Sequence, residues 1–220
     1  CYAKTNNIDS NEYEYYITLG LNSNIKQNEF KRKKLNLIIV LDVSGSMSSS
    51  FDTDIYSGKT KINVANKAII TLIEHLNNDD RFGLITFNDE ATVVQPITMY
   101  NGKDYDKLKK IILNITAEGG TNFEKGYTKA IDCYNKLNKK NIDMSDSKDN
   151  RGDIEYENRI IFITDACPNV GITDSESLLG LCSKYSSEGG IFTTFIGVGI
   201  DFNSTLINDI SKMKGCNYYS

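Results

Sequence analysis

A single histidine, His75, stands in 220 residues, and that scarcity removes most histidine-based zinc and triad chemistry at once. None of the five cysteines (Cys1, Cys133, Cys167, Cys182, Cys216) forms a C-x-x-C pair, which excludes zinc-ribbon and thioredoxin-type readings. No apolar run approaches the roughly 20 residues of a membrane span. A surplus of positive charge is missing too. The 25 Lys+Arg face 29 Asp+Glu, for a formal net charge of -4, so a nucleic-acid binder working by bulk charge is not expected. No secretory leader pattern is found, and because the sequence opens on Cys1 rather than Met, processing or removal of an earlier segment is expected.

What is present suits one domain of generous size with a short appendage. Apolar residues make up 40% and glycines number 16, enough for a packed core and too much for wholesale disorder. Cys133 and Cys182 fall in helical patterns and are expected as buried free thiols; a Cys1–Cys216 disulfide is left open. Asn114-Ile115-Thr116 and Asn203-Ser204-Thr205 match the glycosylation sequon, a triplet that an Asn-rich chain also produces by chance.

Residues 13–21 are β-prone and read as a strand. The basic run Lys31 to Lys34 leads into Leu35 to Leu41, whose nearly continuous apolar, β-branched sequence marks a strand buried on both faces. A Ser/Gly-rich turn follows over 42–50, then a polar loop over 51–59. From Thr60 the period becomes helical, with Ile62, Ala65, Ile69, Leu72, Ile73 and Leu76 on one stripe. Strands are expected over 81–87 and 91–97, the second a hairpin partner whose Pro96 suits an edge. Helices follow around Tyr105 to Ile115 and Phe123 to Leu137. The polar segment 139–157 is expected to be a surface insertion or a disordered connector. Then come a strand over 159–164, a helix over 175–185 with Leu178, Leu181, Cys182 and Tyr185 inward, a strand over 191–198, a helix through Leu206, Ile207, Ile210 and Met213, and a closing strand near 216–219. Buried strands alternating with amphipathic helices predict an α/β fold. It should be doubly wound, with a mostly parallel central sheet, helices on both faces and one antiparallel edge strand.

Ligands in such sheets bind beyond the carboxyl ends of the strands, near the switch in strand order. Three distant segments are predicted to meet there: Asp42-Val43-Ser44-Gly45-Ser46, Gly119-Gly120-Thr121-Asn122 and Thr164-Asp165. Gly45 is expected to relax the first turn so that both serine hydroxyls bend to one point. Two carboxylates and three hydroxyls make an all-oxygen set, suited to Mg²⁺, Mn²⁺ or Ca²⁺. Each piece has an ordinary explanation as a cap or loop; their conjunction on one edge does not.

These residues resemble the metal-ion-dependent adhesion site of the von Willebrand factor type A domain, whose pattern is D-x-S-x-S, then a Thr, then an Asp. Asp42, Ser44, Ser46, Thr121 and Asp165 fill all five places, and residues 33–220 follow the family in order. Residues 1–32 fall outside as an N-terminal extension with an extra strand. The resemblance is to stand-alone or modular members. It implies a Rossmann-like fold and a protein-binding or adhesion module, not an enzyme, in which the metal bridges a partner's Glu or Asp carboxylate. It implies an extracellular or cell-surface setting, with a cytoplasmic one as the alternative. It also implies a possible coupling of Thr121 to the last helix. Specificity is expected from the loops 48–59, 88–91 and 167–174. Ala166 stands where the family often has Gly. Ser48 and Ser49 stand where integrin β-type domains carry acids, so no adjacent calcium site is expected, and Asp52 and Asp54 are read as solvated. Two rivals remain. One is an intracellular assembly module working with an ATPase. The other is a Mg²⁺-dependent phosphotransfer enzyme, disfavoured because Ser44 stands where such enzymes want a second acid and because His75 lies away from the predicted edge.

Overall fold

The computed structural model describes residues 2–6, 13–17, 32–51, 59–144, 156–165, 175–187, 189–199, 212–213 and 215–219. The chain divides into two compact units, Cys1–Arg32 and Lys33–Ser220. In the first, β1 (Tyr2–Asn6) and β2 (Tyr13–Ile17) pair antiparallel, with Tyr2 opposite Ile17 and Asn6 opposite Tyr13. The sequence points to one strand here; the segment Tyr2–Asn6 is too short and polar for its alternation to stand out. Residues 18–21 of the expected strand lie outside the described residues.

The second unit runs β3 (Lys34–Asp42), a 3-10 turn (Gly45–Ser48), α1 (Lys61–Glu74), β4 (Arg81–Phe87), β5 (Ala91–Met99), α2 (Tyr105–Leu113), α3 (Phe123–Met144), β6 (Tyr156–Thr164), α4 (Ser175–Ser187), β7 (Ile191–Gly197) and β8 (Asn217–Tyr219). The strands form one six-stranded sheet in the order β5-β4-β3-β6-β7-β8. Every pair is parallel except β4–β5, which makes β5 the antiparallel edge. The order reverses at β3: its next strand, β4, lies on one side, and β6 on the other.

Two differences from the expected elements concern α3 and β6. The helix carries on to Met144, past the expected start of the insertion at Lys139, and β6 begins at Tyr156. Lys, Asn and Asp in 139–144 give no apolar stripe, yet a helix already nucleated by a packed face propagates through such residues at little cost. Residues 145–155, and Leu206, Ile207 and Ile210 of the expected last helix, lie outside the described residues.

β3 shows why the sheet is covered on both sides. Successive side chains of a strand point to opposite faces. Ile38 and Val40 pack with Phe123, Tyr127, Ile131 and Tyr134 of α3, while Leu37, Ile39 and Leu41 pack with Ile62, Ala65, Ile69 and Ile73 of α1 and Leu108 and Ile112 of α2. A Phe87–Phe162–Phe123 cluster fills the α3 side, with Phe123 and Phe162 centroids 4.2 Å apart. Register is fixed at the amino ends of the strands. The buried Asp80 carboxylate accepts the backbone N–H groups of Leu35 and Asn77 at 2.8 and 2.7 Å. The buried Tyr134 hydroxyl sits 2.7 Å from the carbonyl of Asn36 and 2.9 Å from that of Arg159, spanning β3 and β6.

Ile39 has no exposed surface. Ile39→Ala is expected to lower the unfolding free energy by about 3 kcal/mol, read from the midpoint shift in urea. Thr92→Ala, on the exposed face of β5, should stay within about 0.5 kcal/mol of the parent.

Candidate functional site

β3 ends by delivering Asp42 into a fully buried position. One carboxylate oxygen accepts the backbone N–H of Ser44 at 2.8 Å, and the other accepts the Thr164 hydroxyl at 2.6 Å. β6 runs beside β3, with Leu41 opposite Ile163, so Thr164 and Asp165 arrive at the same level from the neighbouring strand. The Gly45–Ser48 turn is anchored by Met47, which is wholly buried among the α1-side core residues. With Met47 turned in, Ser46 is left facing solvent, while Ser44 is buried. The two hydroxyls lie 3.1 Å apart. Ser46 donates to Asp165 Oδ1 at 2.8 Å, and Lys61 Nζ donates to Asp165 Oδ2 at 2.8 Å. Asp42, Ser44, Ser46, Asp165 and Lys61 therefore form one continuous hydrogen-bonded chain.

The third segment is stitched to this chain through its backbone. Gly45 N–H donates to the Gly119 carbonyl at 2.9 Å, and Glu118 N–H to that of Val43 at 2.7 Å. The β4–β5 turn supports it from the other side. Asp89 Oδ2 accepts Gly120 N–H at 2.8 Å, Asn88 Nδ2 donates to the Glu118 carbonyl at 3.1 Å, and Asn122 N–H donates to the Asn88 carbonyl at 2.8 Å. Thr121 is buried at the end of this loop, two residues before α3 begins. The glycine that the edge requires is Gly119 rather than Gly45. Gly119 has φ +83°, and a Cβ there would stand 2.7 Å from Asp89 Oδ2, whereas a Cβ on Gly45 would make an ordinary 3.4 Å contact with the Gly119 carbonyl oxygen. Tightness between loops, not freedom within the serine turn, is what selects glycine.

Burial is the main reason that the Asp42 carboxyl titrates above its ordinary value. Hydrogen bonds from Ser44 and Thr164 oppose the rise, and the nearby Asp165 charge adds to it. Among the described residues no three His, Cys, Asp or Glu side chains cluster as a metal site. Any cation held here would rest on two carboxylates and hydroxyl groups. His75 is exposed at the C-terminal cap of α1 with Nδ1 2.8 Å from the Thr71 carbonyl, at the helix end that leads to the start of β4. Ser48 spends its hydroxyl on the Gly45 carbonyl at 2.7 Å. Asp52, Asp54, Ala166 and the 167–174 loop lie outside the described residues. Cys216, weighed as a disulfide partner of Cys1, is a buried free thiol; Cys182 is likewise buried and free, and Cys133 is free and half-buried.

Sequence reasoning missed Lys61 and the supporting roles of Thr164, Asn88 and Asp89. For Lys61 a signal existed. It opens a helix with no acid in its first turn, where the helix dipole disfavours a cation.

The sequence profile of the von Willebrand factor type A domain matches residues 37–167. Inter-alpha-trypsin inhibitor heavy chain H4 of Bos taurus is 29% identical over 182 residues, covering 82% of this chain and 18% of that protein. The uncharacterized protein YfbK of Escherichia coli K12 is 27% identical over 184 residues, 83% of this chain and 28% of that protein. The chain thus spans under a third of the length of either relative. Among solved structures, a von Willebrand factor type A protein from Catenulispora acidiphila superposes with a TM-score of 0.63 at 17% identity, over 84% of this chain and 38% of that one. A mostly parallel sheet wound on both faces, with its polar edge at the strand-order switch, defines the class, and the chain belongs to the von Willebrand factor type A family. Domains of this family generally mediate protein–protein interaction.

A carboxyl whose pKa is raised by folding favours the folded state while it is protonated, and that contribution is lost as pH rises through the raised value. In EDTA, the stability of the parent relative to Asp42→Asn should therefore fall as pH rises from below the ordinary carboxyl range through the raised value, measured by urea unfolding at each pH.

Proposed function

We propose that the carboxyl-end edge of this sheet is a divalent-metal-dependent protein-binding site that takes a Glu or Asp carboxylate from its partner. The observation that carries this reading is the hydrogen-bonded chain from Asp42 through Ser44 and Ser46 to Asp165, all oxygen donors, with Ser46 open to solvent. The donor chemistry fits a hard cation such as Mg²⁺, Mn²⁺ or Ca²⁺. Asp42, Ser44, Ser46, Asp165 and Thr121 would hold it. When bound, the ion supplies a positive contact for an incoming carboxylate.

The protein's own part is positioning. Thr164 and the Ser44 backbone fix both oxygens of Asp42, Met47 anchors the turn that presents Ser46, and Asp89 and Asn88 hold the loop that carries Thr121. The serine and threonine hydroxyls are neutral, so they leave much of an ion's charge for a partner to satisfy. Beside the edge, a depression of about 260 Å³ whose lining sets Glu90 and Glu118 beside Val43, Val94 and Ile115 gives a partner a mixed polar and apolar wall with two acids. A partner acid flanked by Lys or Arg suits it better than one flanked by further acids. No residue is assigned a catalytic role, since Asp42 is held from both sides and Ser44 supplies no second acid.

The test is partner capture by the immobilised chain in Mg²⁺ and in EDTA, with Ser46→Ala beside the parent. Capture should drop at least about tenfold in EDTA and in the variant, the scale of a lost charge-assisted contact. Equal recovery in all conditions would remove the metal-bridged reading.

A further inference from the structure

Lys61 sits at the first position of α1, its backbone N–H bonded to the Ser49 carbonyl at 3.0 Å. Its stem runs past Gly199, where a Cβ would come within 3.0 Å of Lys61 Cε and 3.3 Å of Nζ. Gly199 also has φ +108°, a backbone conformation that favours glycine, and the missing side chain leaves the lane open. The ammonium ends 2.8 Å from Asp165 Oδ2, with side-chain exposures of 14% for Lys61 and 1% for Asp165. A cation at a helix N-terminus works against the dipole, and a largely buried ammonium loses hydration. Both costs are met by the buried carboxylate, with Asp42 close behind it.

We infer that Lys61 is the internal counter-ion of the site: it holds Asp165 by one oxygen, turns the other toward Ser46, and weakens the site's grip on a divalent cation. This rests on the metal-dependent reading above. With Asp42 and Asp165 ionised and Lys61 protonated, the site carries one net negative charge instead of two. The two effects on a cation oppose each other. Orientation of Oδ1 favours binding and the nearby positive charge disfavours it. The charge effect dominates, because Asp165 keeps its Ser46 hydrogen bond and its burial without Lys61, whereas among the described residues the ammonium's ion pair is with Asp165, the carboxylate that an ion would share.

The experiment is Mn²⁺ titration, by calorimetry or by the loss of the free-ion magnetic resonance signal. It uses the 220-residue chain, Lys61→Met, Lys61→Arg and Ser46→Ala, with circular dichroism to verify folding. Lys61→Met should bind Mn²⁺ about tenfold more tightly than the parent, the effect of one like charge near an ion at high effective dielectric. Lys61→Arg should stay within about threefold of the parent because the charge remains, and Ser46→Ala should bind more weakly. In EDTA, Lys61→Met should melt below the parent and recover more on adding Mn²⁺. If Lys61→Met does not fold, Lys61→Gln replaces it with the same expectation. Binding by the parent that weakens in Ser46→Ala but is equal or weaker in the Lys61 variant overturns this inference alone. Absence of Mn²⁺ binding in both the parent and the Lys61 variants overturns the metal-dependent reading, and this inference with it.

Discussion

A carboxylate withdrawn from water at the end of a buried strand is the constraint around which this molecule is arranged. Asp42 has no exposed surface and its burial raises its pKa. An ionised group in that position persists only with hydrogen bonds to both oxygens. The neighbouring strand contributes Thr164 and the following turn contributes the Ser44 N–H. Asp165 adds a second charge to the same small volume, and Lys61 answers it from the start of α1. Remove any of these partners and the others face an electrostatic cost that the hydrophobic core must offset.

The core is organised to hold those partners in place. β3 is sandwiched on both faces, so its end is set by packing with α1 and α2 on one side and α3 on the other. Asp80 and Tyr134 tie the strands together at the opposite edge. A slip of one residue would exchange the two faces of β3 and carry Asp42 out of reach of Thr164. Long-range order in the sheet thus sets the hydrogen-bond geometry at the edge. Loops only have to finish the site, which they do with backbone hydrogen bonds centred on Gly119.

Much of this was legible in the sequence because the signals are local. LNLIIVL and RIIFIT are apolar throughout, as strands covered on both faces must be, and a polar residue directly after such a run marks the strand's end. Asp42 and Asp165 were legible as such endings, with Ser44 and Ser46 in the turn that follows the first. The hairpin strand Tyr2–Asn6 and the last turns of α3 were not, because neither carries an apolar period. Lys61 and Asp165 are 104 residues apart. A lone lysine opening a helix says only that its charge is badly placed there, not which carboxylate compensates it. Gly45 misled for a related reason: a glycine inside a motif draws attention, while the close approach that needs one is made by Gly119 from another loop.

The α4 side of the core has a separate consequence. Cys182 is buried against the sheet as a free thiol, and burial pushes its pKa up to about 12. Its thiolate is therefore scarce at neutral pH, and reagents reach the sulfur only when α4 comes away from β7. Alkylation of that sulfur is a built-in clock for opening on the side of the sheet remote from α1.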